Sequence, residues 1–461
     1  MSDVVLVYPP YRRTPPGRSY SPLGLPYVAS FLERSGYSVR VVDADMEGLD
    51  SNAVVSVVAA ERPRLVGITV LTHALPNVLS IVEGLRRVGI TNVVVGGPHV
   101  TADPQIVADL GLVYGMRGEA EHGFLKLARF LLEGVGDLNE VGGLVVNEGG
   151  RLHAERPCFV DDIDVLPLPA RHLVRTRDYR FTVVFSSRGC PYQCLYCAEQ
   201  CRKVRYRSPA NVVDEISGLV REYGVRSVDF GDSVFTLDRG HVLEICRLLG
   251  ERKVRIDWSC ITRADLVDRG LLAAMKDAGC RFVSFGVESG VEEFRFAGGK
   301  RITDDAIREA FASCRRVGLR TRASILFGTP GETVADMRTS IDFVRDLKPD
   351  YALFSITQVF PSTPLFDRLL REGRIGNDVW REFMHGRVLS LDYLPDGVSL
   401  DEAYAVSNEA FRKFYLDNGY LWRKLSGVGD VYELSEAAFL VLSKLGIARL
   451  REPADELCTN A

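Results

Sequence analysis

The chain has 461 residues, of which 46% are hydrophobic, and its 57 basic and 61 acidic side chains leave a formal net charge of −4. This length predicts two or three domains, and the apolar content fills their cores, which excludes a disordered chain. The balanced, interspersed charge gives no electrostatic case for nucleic acid or an anionic membrane, and no apolar run approaches the roughly 18 residues that a membrane span needs.

In chain order, Met1-Ser2-Asp3 runs into a strand, Val4 to Tyr8, without a basic region before it, so no signal peptide is expected and the expected location is the cytoplasm. Pro9-Pro10 stops that strand. A helix from Leu25 to Ser35, closed by Gly36, precedes a second strand, Val39 to Asp43. Asn52 to Glu61 reads as a helix and Leu65 to Val70 as a third strand. Leu75 to Val88 is a helix closed by Gly89, and Asn92 to Val95 is a fourth strand ending in Gly96-Gly97-Pro98. Val113-Tyr114 is a weak fifth, followed by a helix from about Glu121 to Leu132. Short apolar runs alternating with amphipathic helices predict an α/β, doubly wound, Rossmann-like parallel sheet over residues 1–138. Ligands on such sheets lie beyond the carboxyl ends of the strands, here the loops after Tyr8, Val70 and Val95. No G-x-G-x-x-G follows the first strand, which disfavours a dinucleotide. Residues 139–180 read as a connector, with a hairpin across Gly149-Gly150 and an acidic, proline-containing crossing segment from Asp161 to Pro169.

From Phe181 the alternation resumes, with strands at Thr182–Phe185, Ser227–Phe230, Arg255–Cys260, Phe282–Val287, Arg322–Leu326 and Tyr351–Val359. Helices are expected at Val212–Tyr223, Val242–Leu249, Leu266–Ala278, Asp304–Val317 and on to Leu347. Six βα units predict a partial (β/α)6 barrel over residues 181–370, whose chemistry gathers at the carboxyl ends of its strands. Residues 371–461 read as a mostly helical C-terminal domain, with aromatic and apolar side chains at helical spacing from Asn408 to Leu425.

After the first barrel strand stands Ser187-Arg188-Gly189-Cys190-Pro191-Tyr192-Gln193-Cys194-Leu195-Tyr196-Cys197. Ten cysteines in a chain this long are not a disulfide framework, and these three, spaced C-x3-C-x2-C, read as metal ligands. Three thiolates on a cubane leave one iron open to a small molecule. The alternative is a zinc knuckle with Cys201 as the fourth ligand.

C-x3-C-x2-C with an aromatic residue before the last cysteine resembles the radical S-adenosylmethionine (SAM) enzymes. The resemblance implies a 4Fe–4S cluster on Cys190, Cys194 and Cys197, with Tyr196 beside the adenine of SAM. At the strand ends it implies Asp232 for the SAM amino group, Arg263 for its carboxylate, Glu288 for the ribose and Gly328 near the adenine. Ser233 stands where many members carry a second carboxylate. The alternative for each is a supporting polar side chain.

The N-terminal loops resemble a cobalamin-binding domain in Tyr8-Pro9-Pro10, Pro22-Leu23-Gly24-Leu25, Gly67-Ile68-Thr69 with Thr72, Gly96-Gly97-Pro98-His99 and Gly118-Glu119-Ala120-Glu121. This implies that Gly24, Thr69, Leu71, Thr72, His73, Gly96, Gly97, His99 and Glu119 border cobalamin. The residues agree: paired glycines admit a ligand close to the backbone, and threonine hydroxyls stand at a strand end. A cofactor-free domain of the same fold is the alternative. The motif D-x-H-x-x-G, whose histidine ligates cobalt from below, is absent, which resembles the "His-off" members of the family. There the loop after the third strand, here Leu71-Thr72-His73-Ala74, packs under the corrin, so His73 either neighbours the ring or reaches the cobalt.

Together these resemblances imply a cobalamin-dependent radical SAM methyltransferase, moving a methyl group from methylcobalamin to an unactivated carbon of a small-molecule biosynthetic intermediate through a 5′-deoxyadenosyl radical. An external electron donor such as flavodoxin or ferredoxin is implied. A cyclase, ring-contraction or rearrangement enzyme with the same cofactors is the second reading, and a non-catalytic cobalamin or iron–sulfur sensor the third.

Overall fold

The computed structural model describes residues 2–10, 21–179, 181–388, 390–417 and 420. The first strand, β1 (Val4–Tyr8), shows why the N-terminal apolar runs are continuous rather than alternating. Val5 and Val7 pack into one core and Val4 and Leu6 into another, so both faces of the sheet are covered. β2 (Val39–Asp43), β3 (Leu65–Thr69), β4 (Val93–Gly96) and β5 (Tyr114–Met116) complete the parallel part. β6 (Leu144–Glu148) and β7 (Arg151–Ala154) are the hairpin of the connector, and they extend the same sheet antiparallel, in the order β2-β1-β3-β4-β5-β6-β7. Helices Gly24–Arg34, Ser51–Glu61, Leu75–Arg87 and Glu121–Glu133 cover it. Asp50 caps the second of these through Ala53 N–H, and Gly134 ends the fourth in the left-handed region.

The second sheet holds six parallel strands in the order β15-β14-β13-β12-β11-β8. They are β8 (Thr182–Val184), β11 (Ser227–Phe230), β12 (Asp257–Thr262), β13 (Cys280–Glu288), β14 (Arg320–Phe327) and β15 (Tyr351–Ile356). Between the first two, β9 (Ser187–Arg188) and β10 (Arg205–Tyr206) pair antiparallel and close the cysteine loop at its base. Helices Pro209–Tyr223, Arg239–Glu251, Arg269–Asp277, Asp304–Val317 and Val334–Leu347 pack on the outer face. Ser208 with Pro209 starts the first, and a Thr333–Asp336 capping box starts the last.

Past β15 the chain turns back to the N-terminal domain. Helices Pro364–Arg371 and Val379–Met384 insert Leu365, Leu369, Trp380 and Met384 into the core that contains Val5 and Leu75. Helix Leu400–Tyr415 returns to the barrel, where Tyr415 Oη donates to Ala352 O at 2.7 Å. The helices expected from Leu421 onward lie outside the described residues. No helix of the described residues is long and apolar enough to cross a membrane.

A buried ion triad ties the connector to the barrel. Glu215, on helix Pro209–Tyr223, accepts from Arg171 Nη2 at 2.6 Å and Arg207 Nη1 at 2.5 Å. Burial alone would raise its carboxyl, but the two guanidinium groups hold it below the usual range. A depressed carboxylate stabilises the fold above its unfolded value, near 4.5, and that stability is lost as pH falls through the lower folded value. Glu215→Ala leaves two buried cations without their acid, and an expected loss of about 3–5 kcal/mol is read by denaturant unfolding at neutral pH. The deficit relative to the native chain should shrink as the pH is taken below about 4.

Candidate active site

The cysteine loop is built against four neighbours. Cys190 N–H donates to Cys201 O at 3.0 Å, folding the loop back on its own exit. Gly189 allows this close return: its φ is +90°, and a Cβ there would lie 2.4 Å from Lys203 O. Leu195 N–H donates to Gly298 O and Leu195 O accepts from Leu365 N–H, each at 3.0 Å. The fourth neighbour is the N-terminal domain, through Arg188.

Cys190 is buried, and Cys194 and Cys197 are half-buried. Burial, then the neighbouring Cys197, pushes the Cys190 thiol up; burial does the same to Cys194, partly offset by Lys300. The Cys190 and Cys194 thiols, held above the ordinary range, deprotonate together only against a strong positive charge, which a cluster's irons supply. Among the described residues no three His, Cys, Asp or Glu side chains converge as they would on one metal ion. Cys201 Sγ donates to Lys203 O at 3.3 Å.

The expected SAM residues stand around this loop. Tyr196 is half-buried, its buried hydroxyl has no hydrogen-bond partner, and burial followed by the Glu288 charge pushes it well up. Asp232 is 2% exposed and accepts from Ser186 N–H at 3.0 Å, Ser186 Oγ at 2.7 Å and Ser187 Oγ at 2.5 Å, so it supports the start of the cysteine loop. Burial raises its carboxyl, and these hydrogen bonds partly reverse the effect. Arg263 pairs with Asp265 at 2.8 Å and donates to Lys300 O at 2.8 Å. Its guanidinium lies 3.9 Å from the Tyr192 ring centroid, and its buried Nη1 has no partner. Glu288 ends β13 at φ +66°, a strained conformation for this residue type, and bonds Lys300 Nζ at 2.5 Å. Gly286 lies beneath that pair: a Cβ there would lie 2.3 Å from both Glu288 Oε1 and Lys300 Nζ, so a side chain at this position would displace the ends of both. Gly328 opens the turn after β14, and its N–H donates to Glu332 at 2.6 Å. Glu332 also accepts from Thr329 N–H at 2.9 Å, and burial pushes its carboxyl up to about 7.

A cavity of about 410 Å³ lies between the N-terminal strand ends and the cysteine loop. Of the residues expected at cobalamin, Gly24, Thr69, Gly96, Gly97 and Glu119 line it; from the other side come Arg188, Gly189 and Cys201. Leu71, Thr72, His73 and His99 do not line this cavity. Leu71 and Thr72 pass from β3 into the turn Thr72–Ala74. Thr72 Oγ1 is 3.0 Å from His99 Nδ1, and burial lowers His99 to about 3, so its ring is neutral. The His99 ring meets Trp380 edge-on at 5.7 Å. His73 Nε2 is 2.9 Å from Gln358 Oε1, just past β15, and its ring is 5.4 Å from that of Phe360.

Four charges bridge the two domains along this cavity. Glu119 accepts from Arg205 at 2.7 and 2.8 Å, Arg188 lies 2.8 Å from Glu121 and 3.4 Å from Glu119, and the Arg188 guanidinium covers the Tyr27 ring at 4.8 Å. Arg188 and Glu121 lie inside the motif stretches of the sequence, where nothing marks their side chains for this role. For Arg205 and Lys300 no local signal existed, since their partners lie 86 and 12 positions away.

The residues present fit both groups: thiols that need a positive charge to ionise, unpartnered Arg263 Nη1 and Tyr196 Oη, and a glycine-lined cavity at strand ends. Comparison with known proteins agrees. The family described as the Radical SAM superfamily matches residues 184–344, and the B12 binding domain matches residues 14–128. An uncharacterised methyltransferase of Pyrococcus horikoshii is 29% identical over 395 residues, covering 82% of this chain and 86% of the other. The anaerobic magnesium-protoporphyrin IX monomethyl ester cyclase of Rubrivivax gelatinosus is 26% identical, covering 87% of this chain and 75% of the other. The radical SAM methyltransferase TsrM of Kitasatospora setae, solved with cobalamin and a [4Fe-4S] cluster, shares the fold at a TM-score of 0.77 and 22% identity, over 97% of this chain and 100% of the other. The cysteine loop and the glycine-lined strand ends are thus parts of one assembly, and the chain belongs to the cobalamin-dependent radical SAM enzymes, whose cofactors are a 4Fe–4S cluster, SAM and cobalamin.

Proposed function

We propose that the chain is a methyltransferase acting on an unactivated carbon of a small-molecule biosynthetic intermediate. The observation that carries this reading is the shared cavity, lined by Thr69 and Gly97 from one domain and by Arg188 and Gly189 of the cysteine loop from the other. When bound, the cluster with SAM supplies a hydrogen-abstracting radical and cobalamin a methyl donor. Cys190, Cys194 and Cys197 hold the cluster. Tyr196 and Gly328 flank the adenine, Glu288 takes the ribose, and Arg263 uses its free Nη1 for the SAM carboxylate. Asp232 reaches SAM through the serines it orients. Gly24, Thr69, Gly96, Gly97 and Glu119 border the cobalamin tail, and Leu71, Thr72, His73 and His99 shape the side toward the ring. The Arg188–Glu121 pair fixes the distance between the two cofactors. Reducing equivalents come from a flavodoxin- or ferredoxin-like donor in the cytoplasm.

The methyltransferase relatives support methyl transfer, and the cyclase relative keeps ring formation as the second reading. The test is anaerobic reconstitution with SAM labelled in its methyl group and an untargeted screen of metabolite pools. Methyl transfer gives products heavier by one labelled methylene. Cyclisation gives loss of hydrogen with no label, and a sensor gives no deoxyadenosine.

His73 is expected to pack near the corrin without bonding cobalt, because its Nε2 is engaged by Gln358. His73→Ala should leave the nitrogen hyperfine pattern in the electron paramagnetic resonance spectrum of the cob(II)alamin-loaded protein unchanged. Disappearance of such a splitting in the variant would make His73 a ligand.

A further inference from the structure

The barrel strands alternate between an outer face, where Trp258, Val283, Ala323 and Phe354 pack on the helices, and an inner face that is open. On the inner face, Ile261 and Leu353 remain 42% and 50% exposed, so the concave side is accessible. Arg322 of β14 shares this face, in register with Ser284 on one side and Tyr351 on the other. Ile261 pairs with Ser284, the strand neighbour of Arg322, and Leu353 pairs with Ser324, so the two apolar side chains lie on the same face, one two strands from Arg322 and the other diagonal to it.

Among the described residues Arg322 makes no salt bridge, and its buried Nε has no hydrogen-bond partner. Its guanidinium rests 5.7 Å from the Phe282 ring centroid, which supports the flat face and leaves the edges free. Asp229 on the same face is turned to Ser259 Oγ; burial pushes its carboxyl up, and the Ser259 hydrogen bond and the more distant Arg322 charge offset this only in part, so the two groups feel each other without forming a salt bridge. The buried Nε of Arg322 costs stability as long as nothing bonds to it, and the open side of the trough gives a ligand access to the guanidinium.

We infer that Arg322 is a specificity-determining residue that holds a carboxylate of the substrate, so that the substrate is a monoanionic acid whose apolar frame lies over Ile261 and Leu353. One guanidinium with an acid nearby suits a single negative charge better than a dianionic phosphate. Arg322 to Leu326 rises about 13 Å at roughly 3.3 Å per residue, which places the anchored end deep and the reacting carbon near the mouth. The inference rests on the enzyme reading for what happens at the mouth, and its test is a binding measurement that does not need turnover.

The probes are 3-phenylpropionate and its neutral amide, 3-phenylpropanamide, followed by ligand-detected NMR on the holoprotein loaded with cluster, SAM and cobalamin. The acid should bind about ten-fold more tightly than the amide or better. Arg322→Gln should abolish that preference, and Arg322→Lys should keep part of it; iron and cobalt contents report whether the variants are loaded. A second measurement needs no variant: phenylglyoxal should label Arg322 in the native holoprotein, mapped by peptide mass, and the acid should protect it while the amide does not. Equal affinities, a preference that survives Arg322→Gln, absence of binding by either probe, or labelling indifferent to the acid would each overturn the assignment. Deoxyadenosine formation by the same preparation tests the enzyme reading separately.

Discussion

Cys194→Ala is expected to lose the cluster and all SAM cleavage, with iron content and deoxyadenosine falling to background, whereas Cys201→Ala keeps both. The asymmetry follows from where the two sulfurs stand. Cys194 sits between Gln193 and Leu195 in the tight part of the loop, where Leu195 is clamped by Gly298 and Leu365. Two remaining thiolates do not replace the missing ligand, because Cys201, although its backbone bonds that of Cys190, turns its thiol to Lys203 O. Cys201 lies at the loop's return and spends its thiol on Lys203 O, a contact worth about 1 kcal/mol. If Cys201→Ala alone removed the iron, the three-ligand assignment would be wrong.

Gly97→Val should remove cobalamin while sparing the cluster. Gly97 has φ +96°, and a Cβ there would lie 2.6 Å from Thr69 Oγ1, 3.1 Å from Val70 N and 3.2 Å from Val70 O. A β-branched residue cannot adopt that conformation cheaply, so the strand ends β3 and β4 must part by the width of a side chain, inside the cavity itself. Corrin content, read from visible absorption, should drop at least about ten-fold, with a stability loss of about 1–3 kcal/mol. Full corrin occupancy in this variant would move the tail site elsewhere.

Much of this architecture was written locally. The N-terminal strands are near-continuous apolar runs, the barrel strands alternate buried and open positions, and glycines or capped turns mark the helix ends, so β1 to β4 and the barrel strands fall close to where periodicity puts them. The cysteine spacing needs no tertiary information. What was not legible depends on approach in space. β9 and β10 are two residues each, too short for any pattern, and helices Pro98–Ala102 and Glu292–Ala297 are single turns set by their surroundings. His73 meets Gln358 across 285 positions, a contact no local rule supplies. Arg263 is the opposite case: its place after β12 was readable, but its guanidinium shares itself between Asp265, Lys300 and an empty edge, which only coordinates reveal.

The return of residues 364–393 to the N-terminal domain sets an order on biosynthesis. The first β-sheet is translated early, yet Leu365, Leu369, Trp380, Met384, Leu391 and Tyr393 belong to its core. At ~5–20 residues per second, the ribosome delivers them on the order of tens of seconds after β6. During that interval Leu75, Val78 and their neighbours have part of their cover missing, and the nascent domain presents an apolar patch of the kind chaperones bind. A fragment ending after the first domain would carry that patch permanently, so soluble production of this half alone requires either the later segment supplied in trans or polar replacements beneath Trp380.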